Sequence, residues 1–66
     1  MTRKEMRTYF ENKGYRYSDY DADFIYLHKY ESNQAGWVSE VRLSWTEKTF
    51  FVEDGRTGRV KKYIYK

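Results

Sequence analysis

Sixty-six residues with a net charge of +3 and 39% hydrophobic content bound this chain to one domain with one modest core. It has no cysteine, so no disulfide or thiolate-bound zinc can compensate for small size, and hydrophobic burial must hold the fold alone. No apolar run reaches the length of a membrane span and no signal-peptide core follows Met1, so the expectation is an intact small cytoplasmic protein.

Thr2-x-x-Glu5 reads as a capping box that opens a helix over about residues 2–13. Met6, Tyr9 and Phe10 fall at i, i+3 and i+4 and give it one narrow apolar stripe. Gly14 stands at the C′ position, where left-handed geometry ends a helix. So short a helix with three anchors must lie on another element. Tyr15 to Tyr17 reads as a short extended lead-in, followed by an acidic loop through Asp23. Phe24 to Glu31 is a strand, 32–36 a loop, Trp37 to Thr46 a strand, and Glu47-Lys48 a tight turn. Thr49 to Glu53 is the next strand, 54–58 a turn, and Arg59 to Tyr65 a further strand, although Val60, Tyr63 and Ile64 also fit helical spacing.

Turn lengths set the strand registers. Looping across 32–36 places Leu27 opposite Val41, Ile25 opposite Leu43 and His28 opposite Glu40. A two-residue turn at Glu47-Lys48 sets Trp45 opposite Phe50 and Leu43 opposite Val52. Closing the last turn with Glu53 opposite Arg59 brings Val60 beside Val52. One aliphatic face results, carrying Ile25, Leu27, Val41, Leu43, Trp45, Phe50, Val52, Val60 and Ile64, for the helix to cover. The fold expected is α+β: one N-terminal helix packed on a three- or four-stranded antiparallel β-meander spanning about residues 24–65.

Eight tyrosines, four phenylalanines and two tryptophans exceed what one small core can use, and point to a second, working surface. On the register above, the opposite face holds Phe24, Tyr26, His28, Tyr30, Glu40, Arg42, Phe51, Lys61, Tyr63 and Tyr65. Charge is also segregated: 17–54 are acidic, whereas 55–66 carry Arg56, Arg59, Lys61, Lys62 and Lys66 with no acid. Rings that stack bases beside cations that track phosphates suit single-stranded nucleic acid. Tyrosine and arginine equally suit a protein interface, and lysines on an edge strand can simply discourage aggregation.

Other motifs carry less. Asp19-x-Asp21-x-Asp23 opens like a calcium loop, but Phe24 and Tyr30 stand where glycine and the bidentate glutamate belong, so it reads as a solvated acidic loop. His28 is the lone histidine, and in this register it forms a cross-strand pair with Glu40. A helix ending Lys13-Gly14-Tyr15 before a compact sheet resembles, in topology only, the HicA-type toxin ribonucleases. Those carry their histidine in a Gly-Ser-His setting; Leu27-His28-Lys29 replaces it here, so no catalytic residue is carried over.

The sequence therefore predicts a non-enzymatic binding protein with no cofactor, metal, membrane or small-molecule partner. Single-stranded nucleic acid is the first expected partner, with Tyr26, Tyr30, Tyr63 and Tyr65 stacking and Arg42, Arg59, Lys61 and Lys62 contacting phosphate. The alternative is a modulator or inhibitor of a host protein, such as phages and mobile elements encode as short frames. An RNase-like enzyme centred on His28 is the third reading.

Overall fold

Thr2 opens the helix as the capping box requires. In the computed structural model, which describes all 66 residues, Thr2 Oγ1 accepts the Glu5 N–H at 3.1 Å and Glu5 Oε1 accepts the Thr2 N–H at 2.8 Å. The backbone N–H of Thr2, then its hydroxyl, holds the Glu5 carboxyl below its usual range. Helix α1 runs Arg3–Asn12. It ends in a Schellman motif: Gly14, at φ +97°, donates to the Glu11 carbonyl, and Tyr15 donates to the Phe10 carbonyl. The Tyr15 ring meets Phe10 edge-on at 5.4 Å, the apolar contact that accompanies such a terminus.

Five strands follow: β1 (Arg16–Tyr20), β2 (Phe24–Tyr30), β3 (Trp37–Ser44), β4 (Thr49–Asp54) and β5 (Val60–Ile64). They form one antiparallel meander in the order β1-β2-β3-β4-β5. The α+β class matches the sequence expectation, but the sheet has five strands rather than three or four. Residues 16–20 form the additional strand. A bulge between Tyr17 and Asp19 explains why: it sets Tyr17 opposite Leu27 and Tyr20 opposite Ile25, so both rings face the helix although they are three residues apart. The two-residue period that marks a strand is thereby broken in the sequence.

The three turns fared differently. The β2–β3 register is as expected, with Leu27 opposite Val41, Ile25 opposite Leu43 and His28 opposite Glu40. Between β3 and β4 the register moves by two: Leu43 lies opposite Phe50 and Val41 opposite Val52. Trp45 leaves the ladder because its N–H donates to the Asp23 carbonyl, and Ser44 Oγ accepts the N–H groups of Thr46 and Glu47. A shift of two keeps every side chain on its face. Between β4 and β5 the register moves by one. Asp54 stays in the strand and pairs with Arg59, its Oδ1 accepts the Arg56 N–H, and Gly58 at φ +74° closes a loop one residue shorter than expected. Val52 then faces Lys61, and Phe50 faces Tyr63. All of β5 is turned over.

The core is Met6, Phe10, Ile25, Leu27, Val41 and Leu43, with Tyr15, Trp45, Phe50, Val52 and Tyr65 packed around it. Leu27, Val41 and Leu43 are wholly inaccessible to solvent, and burying each such side chain is worth about 1.5–3 kcal/mol. Tyr9 is not the third anchor its spacing suggested; it lies half exposed on the flank, edge-on to Phe10, with the Lys13 ammonium over its ring. Val60 and Ile64, expected under the helix, stand on the other side of the sheet, 45% and 77% exposed. Arg3 fastens the helix start to the β3–β4 loop, lying over the Trp45 ring at 4.7 Å and donating to the Ser44 and Trp45 carbonyls. No helix is long and apolar enough to cross a membrane.

Candidate functional site

The side of the sheet away from α1 has no covering element. Alternation along the paired strands places Phe24, Tyr26, His28 and Tyr30 of β2 on it, with Glu40 and Arg42 of β3, Phe51 and Glu53 of β4, and Val60, Lys62 and Ile64 of β5. Of the eight residues singled out in the sequence, this open face holds Tyr26, Tyr30, Arg42 and Lys62. The one-residue slip puts Arg59, Lys61, Tyr63 and Tyr65 on the helix side instead. The single platform of four tyrosines expected from the sequence is therefore split between two faces.

Most polar groups at the centre of the open face are bonded within the chain. Asp21, in the β1–β2 turn, accepts the N–H groups of Asp23 and Phe24 on Oδ1, both at 2.8 Å, and the Tyr26 hydroxyl on Oδ2. The tyrosine hydrogen bond, then the two amides, holds the Asp21 carboxyl below its usual range. The same carboxylate pushes the Tyr26 hydroxyl up to about 12. Asp21 also accepts the Trp45 indole N–H on its backbone carbonyl at 2.8 Å. The triple-aspartate run is thus a turn that ties β1–β2 to Trp45.

A charged relay crosses the centre of the face. His28 Nε2 lies 2.7 Å from Glu40 Oε2, Arg42 Nε donates to Glu40 Oε1 at 2.7 Å, and Arg42 also donates to Glu53 Oε1. Glu40 and Glu53 both hold Arg42 in its charged form, Glu40 foremost through its hydrogen bond. The cation expected to meet phosphate is already shared by two carboxylates. The His28 ring stacks on Trp37 at 5.1 Å and 4° between planes, and its Nδ1 is buried without a partner. Neither ring nitrogen is free to reach a substrate.

Beside the relay lies an aromatic cluster. Phe24 meets Phe51 edge-on at 5.7 Å and Tyr26 at 6.2 Å, and the Lys62 ammonium sits 5.9 Å above Phe51. Arg16 and Asp19 join the face from β1, opposite His28 and Tyr26. Arg16, Arg42 and Lys62 are thus accompanied by Asp19, Asp21, Glu40 and Glu53, which leaves no excess of positive charge. The sequence register already places Phe24 and Phe51 on this face, but taking only tyrosines as stacking groups leaves both out of the predicted binding set. Trp37 had no such signal, because the β2–β3 register shifts between Lys29 and Tyr30 and brings it opposite Tyr30.

On the helix side, Phe50 holds both displaced tyrosines: Tyr63 stacks on it at 5.0 Å and Tyr65 packs at 6.2 Å. Tyr65 is half-buried against the core, whereas Tyr63 remains 43% exposed. Beyond the reach of α1, Val52, Asp54, Arg59, Lys61 and Tyr63 border an open depression of about 390 Å³. Arg56, the remaining arginine of the basic segment, is tied to Glu31 at 3.0 Å and Gln34 at 3.3 Å. Comparison with protein-family models, with curated proteins and with solved structures found no match to this chain.

Proposed function

We propose that this chain is a non-enzymatic protein-binding module and that its contact surface is the open sheet face. One observation carries the reading: Phe24, Tyr26 and Phe51 lie together on an uncovered surface that has no excess of cations and whose central cation, Arg42, is paired with two carboxylates. Protein interfaces set an aromatic centre within a polar rim, whereas a polyanion calls for an excess of cations. A modulator of another protein's activity is a role such a surface fits. His28, with Nε2 against Glu40 and Nδ1 buried, gives no support to the ribonuclease reading.

Capture of a stoichiometric partner from nuclease-treated lysate tests the proposal. Phe24→Ala and Phe51→Ala should each weaken capture by about tenfold or more, as hot-spot truncations do. Capture that vanishes on nuclease treatment, or that ignores both substitutions, would contradict it.

Single-stranded nucleic acid stays as a second reading on one specific ground. Arg59, Lys61, Lys62 and Lys66 have no ion-pair partner in the chain, and Tyr63 stands partly exposed beside them. Quenching of tyrosine fluorescence by oligothymidylate, with affinity falling steeply as salt rises, would favour it.

A further inference from the structure

We infer that the free edge of β5 accepts an acidic, extended peptide segment as a sixth antiparallel strand. The inference rests on the protein-binding reading for the class of partner, but uses the backbone edge of β5 rather than the aromatic cluster of the open face.

The backbone supplies the first argument. Asp54 N–H donates to the Arg59 carbonyl and Tyr65 N–H donates to the Lys48 carbonyl, so the odd-numbered residues of this strand turn their polar groups toward β4. In an antiparallel ladder successive residues alternate. The N–H and C=O groups of Val60, Lys62 and Ile64 therefore point outward, to a side with no neighbouring strand. Every residue of β5 is exposed, and no bulge interrupts its pairing with β4. Three donors and three acceptors stand in regular order, which is the template for strand addition.

Charge selects the occupant. The side chains that flank this edge are Arg59 and Lys61 on the helix side and Lys62 on the open side, all without an ion-pair partner. A second β5 in the two-fold pairing centred on Lys62 would set that lysine against its own copy, which like-charge repulsion opposes. The other edge, β1, is broken at Ser18 and followed by Asp21 and Asp23, so it offers neither a continuous ladder nor a welcome to acids. An acidic strand at β5 meets complementary charge on both sides, with Val60, Tyr63 and Ile64 exposed for its apolar residues. The depression bordered by Arg59, Lys61 and Tyr63 opens on the same flank. Its one carboxylate, Asp54, already accepts the Arg56 N–H.

The probe is the end-blocked peptide Thr-Val-Thr-Glu-Glu-Val-Glu, which sets acids opposite Lys62, Lys61 and Arg59 and valines opposite Ile64 and Val60. Wild-type protein should bind it and show hydrogen exchange slowed by about tenfold or more at the amides of Val60, Lys62 and Ile64. N-methylation of the peptide amides facing those three residues should abolish both effects on unaltered protein. Ile64→Pro removes an outward donor without changing charge or the β4 pairing, and should weaken binding by about tenfold. Lys61→Glu with Lys62→Glu should do so by at least as much. The inference is overturned if the peptide does not bind, if the N-methylated peptide binds equally, or if the three amides stay unprotected. It is also overturned if oligothymidylate outcompetes the peptide at equal charge, or if the edge amides are protected by self-association. Phe24→Ala, on β2 and away from this edge, should leave peptide binding unchanged, so failure at the edge and failure of the open-face reading are separable.

Discussion

At the scale of single residues, the groups that look most available for binding are those the fold has already used. Arg42 joins Glu40 of its own strand to Glu53 on β4, and its removal would leave two partly buried carboxylates facing each other. Arg42→Ala should therefore cost about 1–3 kcal/mol in urea denaturation; a cation kept for phosphate would be replaceable with no loss. Tyr26 is held the same way. Its hydroxyl is pushed up to about 12 by Asp21, so the stabilisation it gives is complete below about 10 and disappears as pH rises through about 12. The Asp21 carboxyl is lowered, so its share is present at neutral pH and is lost as pH falls through that lowered value. Ultraviolet titration should show the Tyr26 tyrosinate forming late, and moving down toward about 10 in Asp21→Asn. Identical titration curves for wild type and Asp21→Asn would show that this bond is not formed.

At the scale of elements, turn length decides where side chains go. Gly58 closes the β4–β5 loop with φ +74° and open space around its Cα, so Gly58→Ala meets no clash but must strain the backbone. It should cost about 1–2 kcal/mol and perturb β5 more than β2 or β3, measured by amide exchange. The capping box, the C′ glycine and the β2–β3 register were legible in the sequence because each rests on local chemistry: Thr2 with Glu5, Gly14, and matched apolar pairs on long strands. The β3–β4 register was misplaced by two residues, since the part Trp45 plays depends on the distant Asp23 carbonyl, yet even parity preserved the face. The β4–β5 register was misplaced by one, and odd parity exchanged Tyr63 and Tyr65 for Val60 and Ile64. Strand β1 was hidden by its bulge. Sequence patterning thus found the core almost completely and half of the candidate site, and the difference lies in one loop residue.

At the scale of the whole molecule, a single ten-residue helix covers one side of a five-stranded sheet and leaves two features without partners: the aromatic open face and the β5 edge. So small a domain has little stability to spare, and Leu27→Ala, at a site with no access to solvent, should cost about 2–5 kcal/mol and unfold much of the population at room temperature. The division of aromatic and basic residues between two surfaces, on which the functional proposals depend, follows from the pairing of β5 with β4. The most direct test is the pattern of cross-strand Hα–Hα nuclear Overhauser effects. Residues whose polar groups point away from each other come closest at Cα, about 4.5 Å apart, so strong contacts are expected between Phe51 and Lys62 and between Glu53 and Val60. Contacts between Phe51 and Lys61, or between Val52 and Val60, would return Tyr63 and Tyr65 to the open face and contradict the account.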